Sequence, residues 1–266
     1  MSGEIPVSLA RCTKLQELNL GQIQLTGRIP RELGQLTELQ ILHLDTNNLE
    51  GDIPTELGLL TKLKELWLFL NNLTGTIPNS LNNCTNLVSL RLSNNKLSGQ
   101  LATLDLGQFP DLTALSLYEN AFDGTVPESL GKCTQLQVLD LSRNNLTGTL
   151  TDFGTNFSSM RVLSLARNNL EGRIPNWIWF LKRLQVLDLS GNGFIGELPT
   201  SFESLQGMRN STSISNLSTL YQWVSLNFKG QQQQVVYIVH SMTAIDLSEN
   251  KLNGSLPPGL GAPRRI

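Results

Sequence analysis

A unit of 24 residues recurs along almost the whole of this chain, and that recurrence restricts the available folds more than any other feature. One copy reads Leu39-Gln-Ile-Leu-His-Leu-Asp-Thr-Asn-Asn-Leu-Glu-Gly-Asp-Ile-Pro-Thr-Glu-Leu-Gly-Leu-Leu-Thr-Lys62. Units begin at Leu15, Leu39, Leu63, Leu87, Leu112, Leu136, Met160, Leu184 and Met242, with one 25-residue unit (87 to 112) and one long gap (184 to 242). Asparagines stand in phase at 47, 71, 95, 120, 144, 168, 192 and 250, and only Ile23 breaks their series. Glycines repeat at 27, 51, 75, 99, 124, 148, 172, 196 and 254, and eight of the eleven prolines share another phase. Of the 266 residues 52 are leucine, about half of a hydrophobic total of 39%, so one structural device is used many times.

In Leu-x-x-Leu-x-Leu the last two leucines lie two apart and point to one side of a short strand. The same strand in the next unit lies beside it, so the units stack into a parallel sheet. The asparagine can satisfy backbone groups stranded in the tight turn. Glycine admits the conformation or close approach needed at the next bend, and Ile-Pro fixes an extended segment before the chain crosses the convex side. Each unit buries roughly half a dozen leucine-like side chains at about 1.5–3 kcal/mol apiece, and its hydrophobic face is completed only by neighbours. The pattern predicts an α/β repeat: a right-handed leucine-rich-repeat solenoid with a parallel concave β-sheet and an island insertion. Its expected divisions are repeats over 1–205, an island over 206–241 and a further truncated repeat over 242–266.

The unit Leu-x-x-Leu-x-Leu-x-x-Asn-x-Leu-x-Gly-x-Ile-Pro, with Leu-Thr-Gly-x-Ile-Pro at Leu25–Pro30 and Leu73–Pro78, resembles the plant-type extracellular class of leucine-rich repeat. That resemblance implies receptor-like kinases, receptor-like proteins without kinases, or secreted enzyme inhibitors. Fold alone does not choose among them. Gly3–Lys14 is the second half of a unit and Leu256–Ile266 enters another. Solenoids need polar caps, and the resemblance implies a paired-cysteine cap at each end, so the chain is read as a fragment or a truncated gene model, with a short natural protein as the alternative. Met1-Ser-Gly-Glu carries no signal-peptide pattern, and the longest apolar runs, Trp177–Leu181 and Val235–Val239, fall short of a membrane span.

The long gap holds a segment rich in Ser, Thr, Asn and Gln, roughly Gln206 to Ser241, with Gln231–Gln234 as a polar run. Leu220–Leu226 and Val235–Val239 read as strand-like within it. Phe228-Lys-Gly and Ile245-Asp-Leu-Ser resemble parts of the island segment of plant receptor-like proteins, which implies a ligand-binding role for Tyr221, Trp223, Lys229 and Tyr237. The plainer reading is a loop that spaces the solenoid. Cys12, Cys84 and Cys133 share the phase of Leu36 and Leu60, two or three units apart, which predicts small core residues too distant to bridge. Seven sequons, at Asn72, Asn83, Asn145, Asn156, Asn210, Asn216 and Asn253, modestly exceed the roughly four expected by chance and favour secretion.

Chemistry is scarce. A net charge of −2 and 16% charged residues argue against a nucleic-acid groove or an anionic membrane surface. Two histidines and three cysteines leave little room for metal sites or triads, and no nucleophile elbow or phosphate-cradling loop occurs. Asp140, Asp188 and Asp246 on neighbouring strands imitate an acid–base dyad, but all three belong to the repeated Leu/Ile-Asp-Leu-Ser motif. No catalytic residue, cofactor or metal is therefore expected, and any kinase lies outside this chain.

What remains is binding. Several units depart from the bland default of the concave face and present His43 and Asp45, then Glu65, Trp67, Phe69 and Leu70, then Arg91, then Tyr118 and Glu119. Consecutive strands would bring these together as an exposed aromatic patch with flanking charges, suited to recognition. The plain alternatives are a covering glycan, the absent repeats or drift. Trp177, Trp179 and Phe180, in a convex crossing, read as packing residues. The expected function is extracellular, non-covalent recognition of a peptide, protein elicitor or co-receptor ectodomain by part of a plant receptor, with membrane attachment only through a segment outside this chain. The rivals are a secreted inhibitor of a microbial cell-wall enzyme, a soluble decoy and an intracellular scaffold.

Overall fold

Leu-x-Leu becomes a three-residue strand in every unit, and in the computed structural model nine such strands form one parallel sheet: Glu17–Asn19, Ile41–His43, Glu65–Trp67, Ser89–Arg91, Ala114–Ser116, Val138–Asp140, Val162–Ser164, Val186–Asp188 and Ala244–Asp246. The structure describes residues 3–208, 224–228, 231–235 and 243–255. Register is constant, so Leu42, Leu66, Leu90, Leu115, Leu139, Leu163 and Leu187 stack behind the sheet, all fully buried. Shorter strands along one flank of the coils pair in the same parallel sense, the longest set being Thr147–Thr149, Asn169–Arg173, Gly193–Glu197 and Lys251–Asn253.

The asparagine ladder ties each coil to the one before it. Asn144 donates from Nδ2 to the carbonyls of Leu141 and Ser142 in its own coil and of Leu117 in the preceding one. Its Oδ1 accepts from the Phe122 N–H at 3.0 Å. Asn47, Asn71, Asn168 and Asn250 repeat the arrangement. Glycine at the following bend takes positive φ, 76° at Gly51 and 79° at Gly148, which a side chain rarely tolerates.

The convex side of this solenoid is built from short connections. Among the described residues the crossings are short 3-10 turns, such as Arg31–Gln35, Thr55–Leu59 and Glu128–Lys132, and none is an α-helix. A proline fixed near φ −65° precedes each of these, and the next strand begins about six residues after the turn. Five residues close one or two tight turns but cannot repay α-helix nucleation. A second glycine column, unremarked in the sequence pattern, lets these turns approach closely. A Cβ on Gly34 or Gly58 would stand 2.3 Å from the carbonyl oxygen of Glu56 or Ser80 on the next turn. We predict that Gly58→Ala lowers stability by about 1–3 kcal/mol through overpacking. An unchanged urea midpoint would show that adjacent turns slide apart freely.

Two cysteines behave as the phase predicts, and one does not. Cys84 and Cys133 are fully buried, donate to the carbonyls of Leu57 and Leu106, and are pushed up to about 11 by burial. Cys12 is exposed, because no earlier coil in the described residues covers the face of the first one. In the Met160 coil Trp177 and Trp179 are buried at 5% exposure, whereas Phe180, expected to pack, is 66% exposed.

The sheet continues across the long gap: Val186 pairs directly with Ala244, and Asn250 reaches back to Leu189 and Phe194. Within the gap Val224–Phe228 pairs antiparallel with Gln231–Val235. The glutamines of the polar run 231–234 lie in the second of these strands, paired residue by residue with the segment before them. Among the described residues, no helix is long and apolar enough to cross a membrane.

Candidate functional site

Alternation along each strand sends two residues per coil to the concave surface, and constant register lines them up in rows. One row runs Asn19, His43, Trp67, Arg91, Ser116, Asp140, Ser164, Asp188, Asp246. Its neighbour runs Glu17, Ile41, Glu65, Ser89, Ala114, Val138, Val162, Val186, Ala244. The first part of the face is therefore bulky and charged. The second is a low shelf of Ser, Ala, Val and Asp.

Trp67 is the centre of the bulky part, and both its faces are covered. The His43 imidazole stacks on it with centroids 3.7 Å apart and planes 6° from parallel, and the Arg91 guanidinium lies 4.3 Å from its centroid. His43 and Arg91 come from the strands on either side, which about 4.8 Å of strand separation brings to van der Waals range of the ring. The indole N–H donates to Ser89 Oγ at 3.1 Å. Glu65 hydrogen-bonds His43 Nε2 at 3.0 Å, and that bond holds its carboxyl below the ordinary range. Burial pulls Arg91 down to about 10, against the pull of Glu65 and Asp45, so it remains a cation at neutral pH. Asp45 is raised by burial, with Thr46, His43 and Arg91 opposing.

The expected exposed patch needs correction here. Phe69 and Tyr118 are 8% and 4% exposed, and His43, Asp45 and Arg91 are buried as well. Trp67, Glu65, Leu70 and Glu119 are half-buried. Side chains this large, set on adjacent strands, fill one another's space before they reach solvent. Phe69 packs 6.3 Å from Trp67, and Tyr118, one coil beyond Arg91, sits 5.8 Å under the Arg143 guanidinium. Asn94 donates to Glu119 at 3.0 Å, and Ser93 and Ser116 share a 2.6 Å hydrogen bond. Ser89, Asn94 and Arg143 escaped the sequence reading, although position in the repeat would have found them. Tyr221, Trp223, Lys229 and Tyr237 lie outside the described residues, as do Asn210 and Asn216. Asn72, Asn83, Asn145, Asn156 and Asn253 are all exposed.

On the shelf each Asp-x-Ser closes on itself: Asp188 Oδ1 accepts the Ser190 N–H at 3.0 Å and its hydroxyl at 2.6 Å, and Asp140 does the same with Ser142. Asp140 is buried, its Oδ2 has no hydrogen-bond partner, and burial pushes its carboxyl up to about 7. Asp188 is raised for the same reason, with the Asp246 carboxylate adding to the effect. Among the described residues no three His, Cys, Asp or Glu side chains converge as a metal site would require.

Leucine rich repeat family models match residues 134–194 and residues 38–60, 62–84, 86–106 and 241–262. No curated protein matches the chain. Among solved structures, the plant peptide hormone receptor RGFR1 in complex with RGF2 is 33% identical with a TM-score of 0.81, covering 97% of this chain and 36% of that one. The ectodomain of the Arabidopsis receptor kinase HAESA in complex with an extended IDA peptide hormone is 33% identical with a TM-score of 0.81, covering 99% and 38%. HAESA with IDA and the co-receptor SERK1 is 32% identical with a TM-score of 0.76, covering 97% and 38%. The chain thus spans less than two fifths of each of these receptor structures.

Proposed function

We propose that this chain, which belongs to the leucine-rich-repeat family with repeats of the plant receptor-ectodomain type, is part of an extracellular receptor that recognises a peptide or a co-receptor ectodomain on its concave face. The observation that carries this reading is the His43–Trp67–Arg91 stack beside a shelf of small residues. An extended peptide laid across the coils would rest its main chain on the shelf, where Ser164 and Ala166 offer no bulk. It would set one side chain against the accessible edge of Trp67, between Glu65 and Arg91. Because the ring is already clamped, little rotamer freedom is lost on binding, and that pre-organisation favours affinity. The island, from Gln206 to Ser241, is a second recognition element in this reading. Membrane attachment and signalling belong to parts outside the chain.

The test is capture of peptides from plant-secreted fluid by the immobilised protein, read by mass spectrometry. Trp67→Ala should weaken capture at least about tenfold, the effect of losing one aromatic hot spot, with circular dichroism unchanged. Ser116→Arg, which raises bulk at a half-buried position of the shelf next to Arg91, should do the same. Tyr118 is too well buried for a clean test, since its truncation would disturb packing. Full retention of capture by both variants would remove the concave face as the site.

A further inference from the structure

We infer that a groove on the convex side, beneath Phe180, seats the first sugar of an N-linked glycan carried by Asn156. The inference rests on the extracellular reading above. The groove, about 360 Å³, lies between two successive convex turns: Thr155, Phe157 and Ser158 line one side, Trp177, Phe180 and Lys182 the other. Phe180 is 66% exposed and stands at the lip of this groove, so its ring face is available to an apolar surface brought there.

The acceptor is built into the wall. Asn156 is exposed and sits between Thr155 and Phe157, so two of the three sequon residues, Phe157 and Ser158, line the groove themselves. A sugar on Asn156 Nδ2 therefore starts at the groove's edge. The floor is rigid. The Trp177 indole N–H donates to the Thr151 carbonyl at 2.9 Å, and its ring packs 5.3 Å from Phe153 and 5.9 Å from Phe157. It also lies on Gly154, where any Cβ would meet it at 2.4 Å.

The chemistry of the occupant matches. One face of a pyranose ring presents C–H groups, which stack on aromatic faces such as Phe180. Its acetamido and hydroxyl groups point outward toward the hydroxyls of Thr155 and Ser158 and the ammonium of Lys182. Covalent attachment raises the local concentration of the sugar to the millimolar range or above, so weak stacking suffices to hold it. Asn83 is an internal control. It ends its own convex turn, Asn79–Asn83, as Asn156 ends Asp152–Asn156, yet the next turn contains only Leu, Ala, Thr, Asp, Gly and Gln from Leu101 to Gln108. A glycan there has no ring to rest on.

The protein should be secreted from a eukaryotic host as wild type, Asn156→Gln, Phe180→Ala and the double variant, with site occupancy read by glycopeptide mass spectrometry. Asn156 should be occupied, and native-state release by an N-glycosidase should be slower there than at Asn83. Asn156→Gln should lower the melting temperature by about 2–4 °C, and by nothing measurable in the Phe180→Ala background. An unmodified Asn156 alongside modified sequons elsewhere would overturn the inference, as would the same loss in both backgrounds. A change of oligomeric state on Phe180→Ala would assign the groove to self-association instead. Absence of glycan at every sequon of the secreted protein would instead bring down the extracellular reading, and this inference with it.

Discussion

Replacement of Asn144 by leucine should cost about 3–5 kcal/mol, although the new side chain has the same number of heavy atoms, branched at the same carbon, and sits at a buried position. The reason is the number of backbone groups that one amide serves. The Phe122 N–H loses its bond to Oδ1 and, being buried, carries a desolvation penalty of about 1–3 kcal/mol. The carbonyls of Leu117, Leu141 and Ser142 each lose one of two partners, keeping bonds from Asn120, Asn168 and the Glu119 N–H respectively. Those losses are smaller but add to the first. In a solenoid stability is a sum of coil and interface contributions, so damage in the middle separates the array into two weakly coupled halves. Urea unfolding should be a single cooperative transition in the wild type and should split or broaden for Asn144→Leu. Hydrogen exchange should accelerate first around coils 112–160. The chain itself places a hydrophobic residue in the ladder once, at Ile23, in the first coil, where Asn47 still reaches the Ile23 and Leu25 N–H groups from the next coil. A loss below about 1 kcal/mol for Asn144→Leu would mean that leucine packing alone holds the stack.

Asn144 also shows why so much of the fold could be read from the sequence. A residue that must meet the same backbone groups in every coil recurs in the same phase, and so do the glycine at positive φ and the proline before each convex turn. What the phase does not carry is the boundary of the stack. Cys12 has the core phase and is nevertheless exposed, because burial needs a covering coil as well as a position. The site was legible in a similar way and failed at a similar point. His43, Trp67 and Arg91 are 24 residues apart, so one row could have been foreseen. That the three side chains close on each other required distances: 3.7 Å on one face of the indole and 4.3 Å on the other. The sequence reading counted their surface as available, whereas the sheet spends most of it on internal contact. In the insertion the strand-like reading of Leu220–Leu226 overlaps the strand Val224–Phe228, and the hairpin register, which no propensity encodes, sets the glutamines of 231–234 opposite it.

Asp140→Asn should remove a pH dependence that the wild type shows between about pH 4 and pH 7. The Asp140 carboxyl is raised from near 3.8 to about 7 in the folded chain by burial, only partly offset by the Ser142 hydroxyl and N–H. Below pH 4 it is neutral in both folded and unfolded states and affects neither. As pH rises through the unfolded value the unfolded chain ionises and the folded chain does not, so stability falls until the folded carboxyl ionises near pH 7. The loss across that window is on the order of 4 kcal/mol. Asparagine keeps Oδ1 for Ser142 and puts an N–H donor in place of Oδ2, facing the Ser164 hydroxyl, which eases the burial of the carboxylate only slightly. Melting temperatures at pH 4 should therefore agree between wild type and variant, while at pH 7.5 the variant should lie several degrees higher. Asp188 and Asp45, also raised, will leave some residual slope in both proteins, so the difference between the two curves is the quantity that isolates Asp140. Parallel curves would mean that Asp140 is solvated or paired in solution. Diverging curves would mean that the shelf carries less negative charge in acid than at neutral pH. A ligand resting there would then meet a surface whose charge is set by the surrounding pH.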